Sequence, residues 1–281
     1  MVYQVLIKSF TTIIDLGNLI ESVIIEYVTL IFIKMKQEKE MVKKVVPILL
    51  IAIGLIAGIC FLIFGNDVSL IARIILKIVP TLMMCLWMII KVIDTTNWPI
   101  LVGLSLSMLC DIFMALNGNI FLVGGIASNM LALIFYTLYF YRSDKHIELF
   151  RVVPIFIVMG IFYFVLFDYL GNYKIPVMVY CLIYIVFMWR ATARLGDKSI
   201  SRYSQQVCFL GSILVTVSDC LLSFLLFNVL SEKAKYHYAV MILWWSGLFM
   251  LMITAEIKRK SIGKIFELYG YDDVDEMHKL F

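Results

Sequence analysis

Two aspartates, Asp111 and Asp219, stand deep inside apolar stretches of a 281-residue chain. An ionisable side chain held in lipid costs a few kcal/mol, so its default reading is functional. Their surroundings match. Gly103-Leu-Ser-Leu-Ser-Met-Leu-Cys-Asp111 places a glycine eight residues before the aspartate, and Gly211-Ser-Ile-Leu-Val-Thr-Val-Ser-Asp219 does the same. Helical spacing turns each segment into a stripe: Gly103, Ser107 and Asp111 share one face, and so do Ser212, Thr216, Asp219 and Ser223. Small and hydroxylated residues on one face let helices approach closely and hydrogen-bond, so both aspartates are expected to face the interior of a bundle. A pair of this kind can do general acid–base work, or carry protons or ions across a membrane. The plainer alternative is that both carboxylates only hold helices together.

The elements that carry them follow from composition. Of the residues, 63% are apolar and 16% charged, and the mean hydropathy is +0.97. A soluble domain of this length is about half apolar, so the excess must be buried outside its own core. Disordered chains, disulfide-stapled secreted domains and nucleic-acid binders are excluded, the last because a net charge of +4 is small and dispersed. Cys60, Cys85, Cys110, Cys181, Cys208 and Cys220 lie in apolar runs without C-x-x-C spacing and read as reduced packing residues. With only His146, His237 and His278 available, each near a charged or loop segment, no metal site is expected.

About 20 apolar residues cross a bilayer core as a helix. Eight such runs are present, roughly 45–64, 71–93, 98–116, 120–141, 152–170, 175–193, 207–230 and 237–257. Breaks such as Gly65-Asn66-Asp67 and Asn117-Gly118-Asn119 separate them. The fold class is therefore an all-α polytopic membrane bundle. Its organisation is a basic N-terminal segment 1–44, a transmembrane domain 45–257 and a tail 258–281. Eighteen Lys and Arg fall on the side of Lys43 and Lys44 against five on the other, which places both termini in the cytoplasm. Glu21 and Glu26 interrupt the apolar stretch 19–33, favouring an interfacial amphipathic helix over a further span. The 108-residue offset between the two aspartate segments hints at a parallel internal repeat.

Depth adds a constraint. At 1.5 Å per residue, Lys77 lies roughly 9 Å from the non-cytoplasmic side, Tyr180 roughly 8 Å, and the two aspartates roughly 8–16 Å. Four polar groups on four helices in one half of the bilayer suit a pocket for an amphiphile, with its head group near Lys77. A lysine snorkelling to the interface is the alternative for Lys77 alone.

At these residues the chain resembles a known family, over roughly 70–255. Lys77-Ile-Val-Pro80 is similar to a K-x-x-P of the second span, and Ser107-Met-Leu-Cys-Asp111 to an S-x-x-G-D with Cys110 in place of glycine. Phe121-Leu-Val-Gly124 resembles F-x-x-G. Ile175-Pro-Val-Met-Val-Tyr180 and Met188-Trp-Arg-Ala191 resemble L-P-V-x-x-Y and M-x-W-R-A. Gly211 through Ser218-Asp219-Cys-Leu-Leu resembles G-x-x-L-F-x-x-S-D-x-x-L-A. In order and spacing these are the motifs of the YhhN family, the lysoplasmalogenase-like membrane proteins of bacteria and animals.

The resemblance implies a membrane hydrolase that cleaves the vinyl ether bond of lysoplasmalogen to a fatty aldehyde and a glycerophospho-base, without a cofactor. A lysophospholipid in the membrane would be its substrate, Asp111 and Asp219 its catalytic pair, and Lys77, Ser107, Asn129, Tyr136, Tyr180 and Ser218 its substrate-binding residues. Protonation of the alkenyl β-carbon gives an oxocarbenium ion that water captures. One aspartate would supply the proton and the other, ionised, would stabilise the cation. The hydroxyl stripe around Asp219 favours it as the ionised partner and Asp111 as the acid. The animal relatives imply an endoplasmic reticulum location. Two departures stand out. The family's H-x-x-Y histidine falls on Ala132 or Leu133, with Asn129 the nearest polar residue, and its Y-Y-x-x-Q becomes Trp244-Trp245-Ser-Gly-Leu248. They motivate a second reading, an inactive relative that binds lipid or a partner membrane protein. A third, a small transporter or channel, is disfavoured because Pro99, Pro154 and Pro176 sit near span ends rather than breaking a span.

Overall fold

The computed structural model describes residues 45–65, 67–92, 97–116, 118–143, 148–197, 200–230 and 233–268. Its packing separates Met1–Leu49 from a second unit, Leu50–Phe281. Of the first, only the opening turn of a helix is described, and the packing set out below belongs to the second. The expected interfacial helix over 19–33, the rest of segment 1–44, and residues 269–281 of the tail lie outside the described residues.

Among the described residues there are eight α-helices long and apolar enough to cross a membrane, and no strand. They are α1 (Val45–Phe64), α2 (Leu70–Trp87), α3 (Trp98–Ala115), α4 (Asn119–Ser143), α5 (Val152–Leu166), α6 (Lys174–Ala193), α7 (Arg202–Leu226) and α8 (Lys233–Leu268). The protein is an integral, multi-pass all-α membrane protein. Large apolar side chains on α1 and α5, among them Ile56, Ile157, Val158, Ile161 and Phe164, lie exposed. In water that would be an aggregating surface, whereas in lipid it is the expected outer wall. The most enclosed span is that of α8 and the least enclosed that of α5.

Local chemistry sets the boundaries. Ser69 and Ser201 cap α2 and α7, each side chain accepting a hydrogen bond from the first turn. Pro99 starts α3, where its missing N–H costs nothing. Gly118 joins α3 to α4 at φ +127°, a conformation closed to most side chains. α5 stops at Leu166, short of the expected 170. α7 begins at Arg202 rather than 207, because its polar first turn is useful outside the apolar span. There Gln205 donates to Ile200 O at 2.8 Å and accepts from Gly196 N–H at 2.8 Å, fastening the α6–α7 connection. α8 continues to Leu268, since Lys258-Arg259-Lys260 ends apolarity without ending helicity.

Two helix pairs dominate the packing, α3 with α4 and α7 with α8. In each, the glycine eight residues before the aspartate is a point of close approach. A Cβ at Gly103 would overlap the Tyr136 ring of α4, and one at Gly211 would lie 2.8 Å from Met250 Cβ of α8. Gly247 on α8 completes the second crossing, as a Cβ there would stand 2.7 Å from Val215 Cγ2. α1 reaches Pro80 of α2 through Gly54, and Trp245 of α8 through Gly58. These close crossings fix α3 and α7 against their neighbours, and so place the two aspartates.

Candidate active site

A cavity of about 430 Å³ lies between α2, α3, α7 and α8. Lys77, Cys110, Asp111, Ser218, Asp219 and Trp244 line its inner part; Arg73, Met114, Leu225, Leu226 and His237 line it closer to the helix termini. Arg73 is near the start of α2 and His237 near the start of α8, while Met114 and Leu225 close α3 and α7. All four therefore mark one end of the bundle. At 1.5 Å per residue, the aspartates lie roughly 6–11 Å below those helix termini.

Asp111 is 5% exposed and ion-paired, its Oδ1 standing 3.2 Å from Lys77 Nζ. Lys77 Nζ also donates to the Asp111 carbonyl at 3.4 Å, and Trp244 Nε1–H donates to Asp111 Oδ2 at 3.2 Å. Three helices thus meet at one carboxylate. Asp219 is equally buried but is surrounded by neutral donors. Asn129 Nδ2 and the Tyr180 hydroxyl each donate to Oδ2 at 2.6 Å, and the Tyr184 hydroxyl donates to the same oxygen. Asn129 also donates to the Tyr180 hydroxyl at 2.6 Å, so the donors are themselves linked. A buried carboxylate is tolerable only when partnered. These two are partnered by different means, one by a charge and the other by an amide and two phenols.

The remaining expected site residues divide. Asn129 and Tyr180 hold Asp219. Ser218 lines the cavity, yet its hydroxyl donates to Val240 O of α8 at 2.8 Å and so ties α7 to α8. Ser107 and Tyr136 hydrogen-bond to each other at 2.9 Å, both essentially fully buried, and form a separate α3–α4 contact. The hydroxyl stripe of α7 does not reach the carboxylate. Ser212, Thr216 and Ser223 donate to the carbonyls of Cys208, Ser212 and Asp219 one turn back. Hydroxyls inside apolar helices take this local acceptor because no water competes for them.

Tyr184, Trp244, Arg73 and His237 were not anticipated. Tyr184 follows Tyr180 by one turn, and Arg73 precedes Lys77 by one turn, so helical periodicity could have found both. Trp244 looked like the loss of a tyrosine, but its indole N–H supplies the donor at Asp111. His237 gives no comparable signal in the sequence.

A multi-pass helical bundle with two buried carboxylates from non-adjacent helices facing one cavity is a membrane protein with an intramembrane polar site. This chain belongs to the YhhN family, whose family model matches residues 72–255. No curated protein and no solved structure matches it.

Proposed function

We propose that the protein is a lysoplasmalogenase-like hydrolase, cleaving the vinyl ether of a 1-alkenyl lysophospholipid to a fatty aldehyde and a glycerophospho-base. The observation that carries this reading is the pairing of unlike carboxylates, Asp111 with Lys77 and Asp219 with three neutral donors, on a single cavity. Family membership supports it independently.

The surroundings favour exchanging the roles suggested by the hydroxyl stripe. With Lys77 beside it, Asp111 takes the charged role, and Asp219 is the proton carrier. Asp219 gives its proton to the alkenyl β-carbon, whose C=C electron pair forms the new C–H bond. The oxocarbenium ion at the adjacent carbon is stabilised by the Asp111 carboxylate. Water adds to that carbon and returns a proton to Asp219, giving a hemiacetal. Its hydroxyl proton then passes to the ether oxygen as the C–O bond breaks, releasing aldehyde and a glycerol hydroxyl. No cofactor is consumed in this balance.

Aldehyde release from 1-alkenyl lysophospholipid by the purified protein in detergent, with Asp219→Asn as control, tests the reading. Release that disappears in the variant is expected. Bound lipid with no release from the unaltered protein would instead favour the second reading, a lipid- or partner-binding relative without catalysis. That reading rests on Ala132 and Leu133, both fully buried and apolar where the family resemblance calls for histidine. The lysine and arginine asymmetry further proposes cytoplasmic termini, with the cavity on the opposite side, and the family resemblance an endoplasmic reticulum location. Tags placed after Gly118 and after Ser199 should be respectively protected and accessible from the cytoplasmic side of intact vesicles.

A further inference from the structure

One step of the proposed reaction has no side chain assigned to it. Once the hemiacetal has formed, its hydroxyl must lose a proton and its ether oxygen must gain one as the C–O bond breaks. Asp219 has by then taken back its proton, and Asp111 is engaged by Lys77 and Trp244. Among the other polar side chains of the cavity lining, Ser218 donates to Val240 O and Cys110 is buried beside Asp111. Arg73, as a guanidinium, cannot accept a proton. His237 remains. It lines the same cavity, half-buried, with its ring 6.1 Å from that of Phe61 and 6.5 Å from that of Tyr238. Among the described residues no hydrogen bond engages either ring nitrogen.

Its height in the bundle suits that step. The Ser218–Val240 bond sets the turn of α7 that carries Asp219 level with Val240 of α8. His237 precedes Val240 by three residues, so it stands about 4.5 Å nearer the helix termini at this end of the bundle. In the substrate the ether oxygen follows the vinyl carbons toward the glycerol. With the β-carbon against Asp219 and the glycerol toward those termini, that oxygen lies on the His237 side. We propose that His237 is a further catalytic residue, the base and then the acid of hemiacetal collapse. One ring nitrogen takes the hydroxyl proton as the carbonyl forms. The C–O electron pair leaves with the glycerol oxygen, which receives the proton from the imidazolium. The ring begins and ends the step in the same protonation state, and one hemiacetal gives one aldehyde and one alcohol. Imidazole suits both halves because it gains and loses a proton near neutral pH. Lys77 and Arg73 of α2, Asp111 of α3 and Asp219 of α7 are the charged groups that line the cavity with it. The inference rests on the hydrolase reading and deepens it by assigning its last proton transfer.

The test follows vinyl ether and aldehyde together in the purified full chain in detergent, given 1-alkenyl lysophospholipid. His237→Gln should lower kcat about 10²-fold, the lower end for a positioned proton carrier, with KM little changed. In a single turnover of that variant, loss of the vinyl ether should run ahead of aldehyde release. Imidazole in the buffer should raise aldehyde release severalfold in His237→Ala and leave Asp219→Asn unchanged. Turnover like that of the unaltered protein in both His237 variants overturns the assignment. So does a loss in which vinyl ether and aldehyde still change in step and imidazole restores nothing, which would make His237 a packing residue against Phe61. Failure of the hydrolase reading shows separately, as aldehyde release that is absent from the unaltered protein or survives Asp219→Asn, and the assignment falls with it.

Discussion

Asp111 and Asp219 each follow a glycine by eight residues, each belongs to one half of a closely packed helix pair, and each is 5% exposed. Their environments nevertheless differ in kind. Asp111 faces an ammonium group and one indole N–H, whereas Asp219 receives an amide and two phenols on a single oxygen. Similar backbone settings therefore supply the depth, and the neighbouring helices supply the chemistry. α2 and α8 make one carboxylate a partner of charge, and α4 and α6 make the other a partner of hydrogen bonds.

The comparison can be broken in order of effect. Asp219→Asn removes the proposed proton carrier, and aldehyde release should fall by about 10²–10⁴-fold, the usual worth of a positioned general acid, with membrane insertion intact. Turnover like that of the unaltered protein would end the two-carboxylate mechanism. Lys77→Met should destabilise the protein by about 3–5 kcal/mol in thermal or denaturant unfolding, because it strands a buried charge. Adding Asp111→Asn in the same chain should recover most of that stability without restoring activity. If the double variant is no more stable than Lys77→Met, the ion pair is not what secures Asp111. Tyr184→Phe removes one of three donors from Asp219, which becomes charged as it gives up its proton, and should lower kcat about tenfold, in line with about 1.5 kcal/mol for losing one hydrogen bond to a charged group. Trp244→Phe acts on the other carboxylate, whose charge partner remains. A loss of only a fewfold is expected, and a loss exceeding that of Tyr184→Phe would reverse the assignment of roles.

Much of this architecture was legible from hydropathy alone, because a bilayer forces each span to be apolar and helical. The spans at α3, α4 and α6 were placed within about two residues. At the start of α7 and the end of α8, polar residues continue a helix beyond the apolar stretch, which hydropathy cannot see, while α2 and α5 end before their apolar runs do. The site was legible where a polar residue interrupts an apolar span, as with Lys77, Asp111 and Asp219. It was opaque where the contributing residue is aromatic, since Tyr184 and Trp244 read as core until their partners are known. Trp244 and Asp111 are 133 residues apart, and nothing local to either announces the bond. The hydroxyls of α7 misled in the opposite sense: sharing a helical face with Asp219 placed them beside it, while their own backbone took their protons.

The position of the cavity has a consequence for supply. Its lining runs from the two aspartates to residues near the termini of α2, α3, α7 and α8 on one side of the bundle. If the proposed lipid substrate lodges there with its head at those termini, it comes from one leaflet alone. The opposite leaflet's pool would then turn over only as fast as lipids flip, so the proposed activity would depend on membrane asymmetry as well as on lipid chemistry.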